Sequence, residues 1–162
     1  MAVETAPDDR LSLEQQICFT LAVAARDVVS LYRPFLEPLG LTHPQYLLMV
    51  TLWEHAEPLC VKDLSVLLKV DAPTLSPLLK RMESAGLLRR ERNPADERSV
   101  LITLTPRGQE LRTRAASVPA SIVERLGMSI AELELLQTAL RNLISHANVR
   151  ASSASSPMSA EF

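Results

Sequence analysis

Along most of this chain apolar residues recur every three or four positions, the spacing of a helix with one buried face. In one short stretch they alternate instead, as in a strand. The longest series, Leu13, Ile17, Leu21, Ala24, Val28, Leu31 and Phe35, predicts a helix of about six turns. Cys18, Ala22, Ala25, Val29 and Tyr32 form a second stripe beside it. A face that wide exceeds what a small domain covers alone, so pairing with a second copy is expected. Pro34, Pro38 and Gly40 loosen or end this helix. Thr42-His43-Pro44 opens another, with Thr42 as N-cap, Pro44 in the first turn, and Tyr46, Leu47, Met49, Val50 and Trp53 along it. Val61 to Leu68 reads as a short helix with Val61, Leu64 and Leu68 inward. Lys69-Val70-Asp71 turns it into a further helix, capped by Asp71, whose Leu75, Leu78, Leu79 and Met82 form one stripe.

Past Gly86, a helix C-terminus, the period changes. Leu88 to Arg92 and Ser99 to Thr103 are strand candidates joined through Asn93-Pro94-Ala95-Asp96, with Val100, Ile102 and Leu104 alternating as in a half-buried strand. Thr105-Pro106 starts a helix carrying Leu111, Ala115, Val118, Ile122 and Leu126, in which Pro119 should introduce a kink. Ser129 to Glu132 is a capping box for a last helix with Leu133, Leu136, Leu140, Leu143 and Ala147 inward. Residues 1–10 are polar and expected to fray; residues 150–162, rich in Ser, carry no periodicity and are expected to be a disordered tail.

Two helices joined by a three-residue turn have the spacing of helix-turn-helix, and the basic hairpin that follows makes it the winged form. The fold expected is mainly α with a small β-hairpin wing. It comprises an N-terminal dimerisation helix at 11–40, a winged helix-turn-helix at 41–105, C-terminal dimerisation helices at 106–149 and the tail at 150–162. A helix suits the major groove of DNA, and an arginine on a narrow tip can enter the minor groove. The candidate DNA contacts are Thr74, Ser76, Lys80 and Arg81 on the second helix, and Arg90, Arg92, Asp96 and Arg98 on the wing.

The net charge of −2 speaks against nucleic acid only until it is divided along the chain. Residues 62–114 hold 11 Lys and Arg against 7 Asp and Glu, a balance of +4, while the remainder holds 6 against 12, a balance of −6. The positive charge thus sits on the predicted reader. No apolar run is long enough for a membrane span, and the N-terminus lacks the order of a signal peptide, so a cytoplasmic protein is expected. Two cysteines, Cys18 and Cys60, are too few for a disulfide scaffold, and three histidines without His-x-x-x-His spacing argue against a metal sensor. No phosphate loop and no order of Ser, His and Asp suggests an enzyme, and no cofactor is expected.

Several short motifs together resemble the MarR family of winged-helix repressors, and within it the organic-hydroperoxide-sensing OhrR type. They are Cys18-Phe19, Tyr32-Arg33-Pro34, Pro44-Gln45-Tyr46, Leu52-Trp53-Glu54-His55, the run from Leu78 to Glu83, and Asp96 to Ile102 followed by Leu104-Thr105 and Gly108. Each motif is weak alone; their ordered set, from about residue 11 to 147, is specific. The resemblance implies a homodimeric repressor on an inverted-repeat operator, released when Cys18 is oxidised by an organic hydroperoxide. It also implies that Asp96 positions Arg98, and that two aromatic residues of the other subunit hold the sensing thiol. One matches Tyr32; the other falls on His43, where the family commonly has Tyr.

A lone cysteine on an apolar helix is ordinarily a small core residue, and it is the motif context that singles out Cys18. Cys18 and Tyr32, 14 residues apart, lie about 21 Å from each other on one helix and can meet only between antiparallel copies. Cys60 is read as structural, which makes this a one-cysteine sensor whose sulfenic acid is trapped by a small cellular thiol or over-oxidised. Tyr46 and Trp53 are read as core aromatics, His55 and His146 as surface or packing residues. Two alternatives stay open: a repressor released by a small aromatic ligand, and a thiol peroxidase using Cys18, disfavoured by the absence of Cys-x-x-Cys.

Overall fold

A computed structural model of the chain describes Leu13 and residues 16–154. The expectation for residues 1–10, and that for 155–162 within the tail, lie outside the described residues. Among the described residues seven α-helices and three short strands are seen, in the order α1 (Ile17–Leu36), α2 (His43–Glu54), β1 (Leu59–Cys60), α3 (Val61–Leu68), α4 (Ala72–Ser84), β2 (Leu88–Asn93), β3 (Asp96–Leu104), α5 (Pro106–Ala115), α6 (Val118–Leu126) and α7 (Ile130–Ala154). They fall in two compact units, Met1–Ile122 and Val123–Phe162.

In the first unit, a 3-10 turn over Glu37–Leu39 ends α1, and Gly40, at φ 69°, supplies the left-handed residue that turns the chain toward α2. Pro34 lies within α1 without ending it. Thr42 caps α2 in a full capping box with Gln45, whose Oε1 accepts from Thr42 N at 2.8 Å. The buried side of α2 is Tyr46, Leu48, Met49 and Leu52. Leu47 faces outward at 42% exposure and Val50 is half-buried. These side chains meet Leu64 of α3, Leu75, Leu79 and Met82 of α4, Ile102 of β3, and Leu111, Ala115, Val118 and Ile122 of α5 and α6 in one aliphatic core.

The β2–β3 hairpin forms as expected, and Leu59 and Cys60, too short a run to show alternation, add a third strand by pairing with Ile102 and Leu101, in the antiparallel order β1-β3-β2. Two expectations are corrected. The segment expected as one kinked helix is two, α5 ending at Ala115 and α6 starting at Val118. Pro119 is the second residue of α6, where the absent N–H costs no helical bond. Helix α7 runs through Ala154, five residues into the segment expected to be a disordered tail.

The second unit consists chiefly of α7, opened by the expected box: Ser129 Oγ and N both donate to Glu132 Oε2. No described residue of α7 is buried. Leu136 and Leu143, expected inward, are 46% and 37% exposed, and Leu133 and Leu140 are half-buried.

Candidate functional site

Helix α3 ends on Lys69, the one described non-glycine residue with positive φ, at 54°. Two residues later Asp71 starts α4, its Oδ1 accepting from Thr74 N at 2.9 Å. Those hydrogen bonds from Thr74 favour the ionised carboxylate and hold Asp71 below its usual pKa. Leu75, Leu79 and Met82 anchor α4 to the core, and the opposite side presents Thr74, Ser76, Lys80 and Arg81, all exposed. Between them lie Pro73 and Pro77, also exposed. Pro77 is tolerated because it stands early in the helix, where only the Pro73 carbonyl loses a partner.

The candidate residues of the wing divide. Arg90 is folded back on the reader helix: its Nε donates to Glu83 Oε2 at 2.7 Å and its backbone N to Glu83 Oε1 at 3.2 Å. Its charge is matched within the chain, and the contact links β2 to α4. Arg92 and Arg98 are exposed near the tip, where the turn proper is Pro94-Ala95. Asn93 Oδ1 accepts from Ala95 N, and Asp96 Oδ1 accepts from Arg98 N at 3.0 Å. The Asp96 carboxylate thus holds the backbone N–H of Arg98. Lys69 and Arg89, exposed on the turn and on the other face of β2, add positive charge that the sequence reading passed over. The basic count of the segment was the signal for them.

Elsewhere in the first unit, Tyr32 of α1 meets His43 at the start of α2, their ring centroids 4.8 Å apart and edge-on at 65°. A third ring, Tyr46, lies 5.9 Å from Tyr32. Tyr46 is buried, as a core aromatic should be, but it also joins this cluster, which sequence reasoning missed. Its placement three residues after His43, on the same side of α2, was the available clue. Burial lowers the pKa of His43 below 6.5, so its imidazole is neutral at pH 7. Burial, and then the neighbouring Tyr32, raise that of Tyr46. Cys18 is exposed at the far end of the same unbroken α1, so within the chain it does not join the ring cluster.

Cys60 caps α3. Its Sγ donates to Asp63 Oδ2 at 3.0 Å and accepts from Asp63 N at 3.5 Å, taking the place a serine or threonine usually fills. Among the described residues no group of three or more His, Cys, Asp or Glu could hold a metal ion, and no helix is long and apolar enough to cross a membrane.

The family model described as transcriptional regulator SarA/Rot matches residues 30–114. The organic hydroperoxide resistance transcriptional regulator of Bacillus subtilis (strain 168) is 43% identical over 136 residues, covering 84% of this chain and 92% of that protein. Among solved structures, reduced AbfR bound to DNA is similar at 31% identity and a TM-score of 0.68, covering 83% of this chain and 94% of that one. Overoxidized AbfR bound to DNA is similar at 32% identity and the same TM-score, with the same coverage.

Proposed function

The chain belongs to the MarR/SarA-type winged-helix transcriptional regulators, in the OhrR-type branch, and from that premise we propose that it is a homodimeric, peroxide-released repressor whose sensor is Cys18. As a regulator it binds DNA, and its place of action is the cytoplasm, where that DNA lies. The reader helix α4 enters the major groove through Thr74, Ser76, Lys80 and Arg81, and the wing offers Arg92 and Arg98 to the minor groove, with Asp96 as the brace of Arg98. Arg90 acts by holding reader and wing together.

The observation that carries the reading is the separation of Cys18 from the Tyr32–His43 pair along one continuous helix. Two copies of α1 lying antiparallel bring each Cys18 to the partner's rings. A tyrosine hydroxyl and a neutral imidazole N–H then donate hydrogen bonds to the thiolate, favouring the charged form. The thiolate attacks the outer oxygen of the hydroperoxide: the S–O bond forms, the O–O bond breaks, and the leaving alkoxide takes up the proton the thiol gave, so that thiol and hydroperoxide become sulfenic acid and alcohol. A small cellular thiol then condenses with the sulfenic acid, releasing water and leaving a mixed disulfide. Cys60 takes no part, because its sulfur is committed to Asp63.

The enlarged residue 18 no longer fits against the partner's rings, the dimer helices shift, and the two readers lose the separation of about 34–36 Å that successive major grooves require. AbfR occurs on DNA in both reduced and overoxidized forms, so the release proposed here is assigned to the bulkier mixed disulfide. In a gel shift on the DNA upstream of its own gene, cumene hydroperoxide should release the wild type, and Cys18→Ser should stay bound. Release of Cys18→Ser at the wild-type dose refutes the sensor.

A further inference from the structure

Among the described residues four take the left-handed conformation at helix ends, and three of them are the glycines Gly40, Gly86 and Gly127. The fourth is Lys69, at φ 54° and ψ 41°. Its own N–H and that of Val70 both donate to the Ser65 carbonyl oxygen, which closes the end of α3. Glycine takes this conformation without a Cβ penalty, and any other residue is strained in it. The closure makes no use of a lysine side chain. Lys69 is exposed, and among the described residues it has no ion pair or side-chain hydrogen bond. Asp71, the acidic residue next to it in sequence, has its carboxylate on Thr74 N. Strain kept at an exposed and unmatched charge points to something the fold itself does not contain.

Lys69 stands two residues before Asp71, the cap of the reader helix α4. A reader helix points its N-terminal end at base edges, so the turn that leads into it lies beside the sugar–phosphate strand bordering the groove. We propose that Lys69 is a DNA contact of this protein, its ammonium paired with a backbone phosphate at the edge of the major groove. A compact charge on a flexible stem suits a phosphate oxygen. Such a contact adds affinity for any duplex and carries no sequence preference. It also accounts for the exception among the helix ends, because none of the three glycines opens a reader helix. The turn before α4 is thus less stable than a glycine would make it, and more strongly held by DNA.

This inference rests on the reading of α4 as a DNA reader, and its test separates the two. Lys69→Gly removes strain and charge together, whereas Lys69→Gln removes the charge and keeps the strain. Urea midpoints should rise in Lys69→Gly and stay near the wild type in Lys69→Gln. On the DNA upstream of the chain's own gene, at about 0.1 M salt, both variants should bind roughly tenfold more weakly for each reader engaged. The slope of log affinity against log salt should become shallower by about 0.9 for each reader. Affinity for an unrelated duplex of equal length should fall by the same factor, and Lys69→Arg should restore both. Unchanged affinity in Lys69→Gln removes the contact. A fall confined to the upstream DNA makes Lys69 a reader of bases and overturns the phosphate assignment. A midpoint that does not rise in Lys69→Gly refutes the argument from strain. If the wild type binds neither duplex, it is the reading of α4 that fails, and the role of Lys69 with it.

Discussion

At the scale of single residues, the neutral state of His43 has a consequence in pH. Burial holds its pKa below 6.5, so the folded state binds the proton less readily than the unfolded chain. Above pH 6.5 both states leave the ring neutral and no cost arises. As pH falls through 6.5 the unfolded chain takes up the proton first, and stability declines until the folded pKa is passed. His43→Tyr, which cannot titrate there, should lack this component. Urea midpoints of the two proteins at pH 7.5 and 5.5 should show the wild type losing more on acidification; an equal loss would mean that His43 is solvated. Tyr32→Phe keeps the ring but removes the hydroxyl, so Cys18 oxidation should slow by about 10- to 100-fold, the worth of one hydrogen bond to a charged group, with DNA affinity unchanged. Stopped-flow oxidation beside a gel shift measures both. The candidacy of Tyr32 was legible from its motif. That of Tyr46 was not, because an aromatic residue on the apolar side of a helix looks the same in sequence whether it only fills the core or also touches a functional ring.

At the scale of elements, most boundaries followed from local chemistry that a sequence displays: the capping boxes at Thr42 and Ser129, the N-cap Asp71 and the turn at Pro94 all stand where expected. What escaped depends on pairing over distance. β1 exists because β3 offers it a free edge, and Arg90 on β2 pairs with Glu83, seven residues away on another element. The Glu83–Arg90 pair gives a test of how the wing is held. Both side chains are about one-third exposed, so the pair adds little stability. Glu83→Gln removes a negative charge beside the reader and frees Arg90. DNA affinity should rise and its salt dependence should steepen by about one phosphate contact, a slope change of roughly 0.9. Arg98→Ala should move both the other way. Fluorescence anisotropy against salt concentration measures the slopes, and an unchanged slope in Arg98→Ala would take that arginine out of the interface. Gly108 tests the seat of α5 against the wing. A Cβ there would lie 2.0 Å from the Leu87 carbonyl oxygen, and the glycine's own carbonyl accepts from Trp53 Nε1 at 2.9 Å. Gly108→Ala should cost about 1–3 kcal/mol or more by denaturant unfolding, from overpacking against rigid backbone.

For the whole molecule, the question is whether one sensing site is assembled from one chain or from two. The apolar residues left open on α1, Ile17 and Phe19, and those on α7, Ile130, Leu135, Leu136, Leu143 and Ile144, are more than a lone chain in water usually leaves uncovered. A second copy is the economical cover, but exposure alone does not say which residues meet. Mixed dimers do. Cys18→Ser has a ring but no sulfur, and Tyr32→Phe has a sulfur but no ring hydroxyl; each homodimer is impaired at both of its sites. If the site is formed between chains, a dimer of one Cys18→Ser chain and one Tyr32→Phe chain joins the intact sulfur of the second to the intact tyrosine of the first. It thereby regains one complete site. If the site lay within a chain, the same dimer would contain none. With the two variants differently tagged, co-expressed and purified through both tags, the mixed dimer should therefore oxidise half of its residue-18 positions at the wild-type rate. A rate as slow as that of the Tyr32→Phe homodimer would place sulfur and tyrosine in one chain. That outcome would contradict the 21 Å that one unbroken helix sets between them, so α1 would have to break on dimerisation.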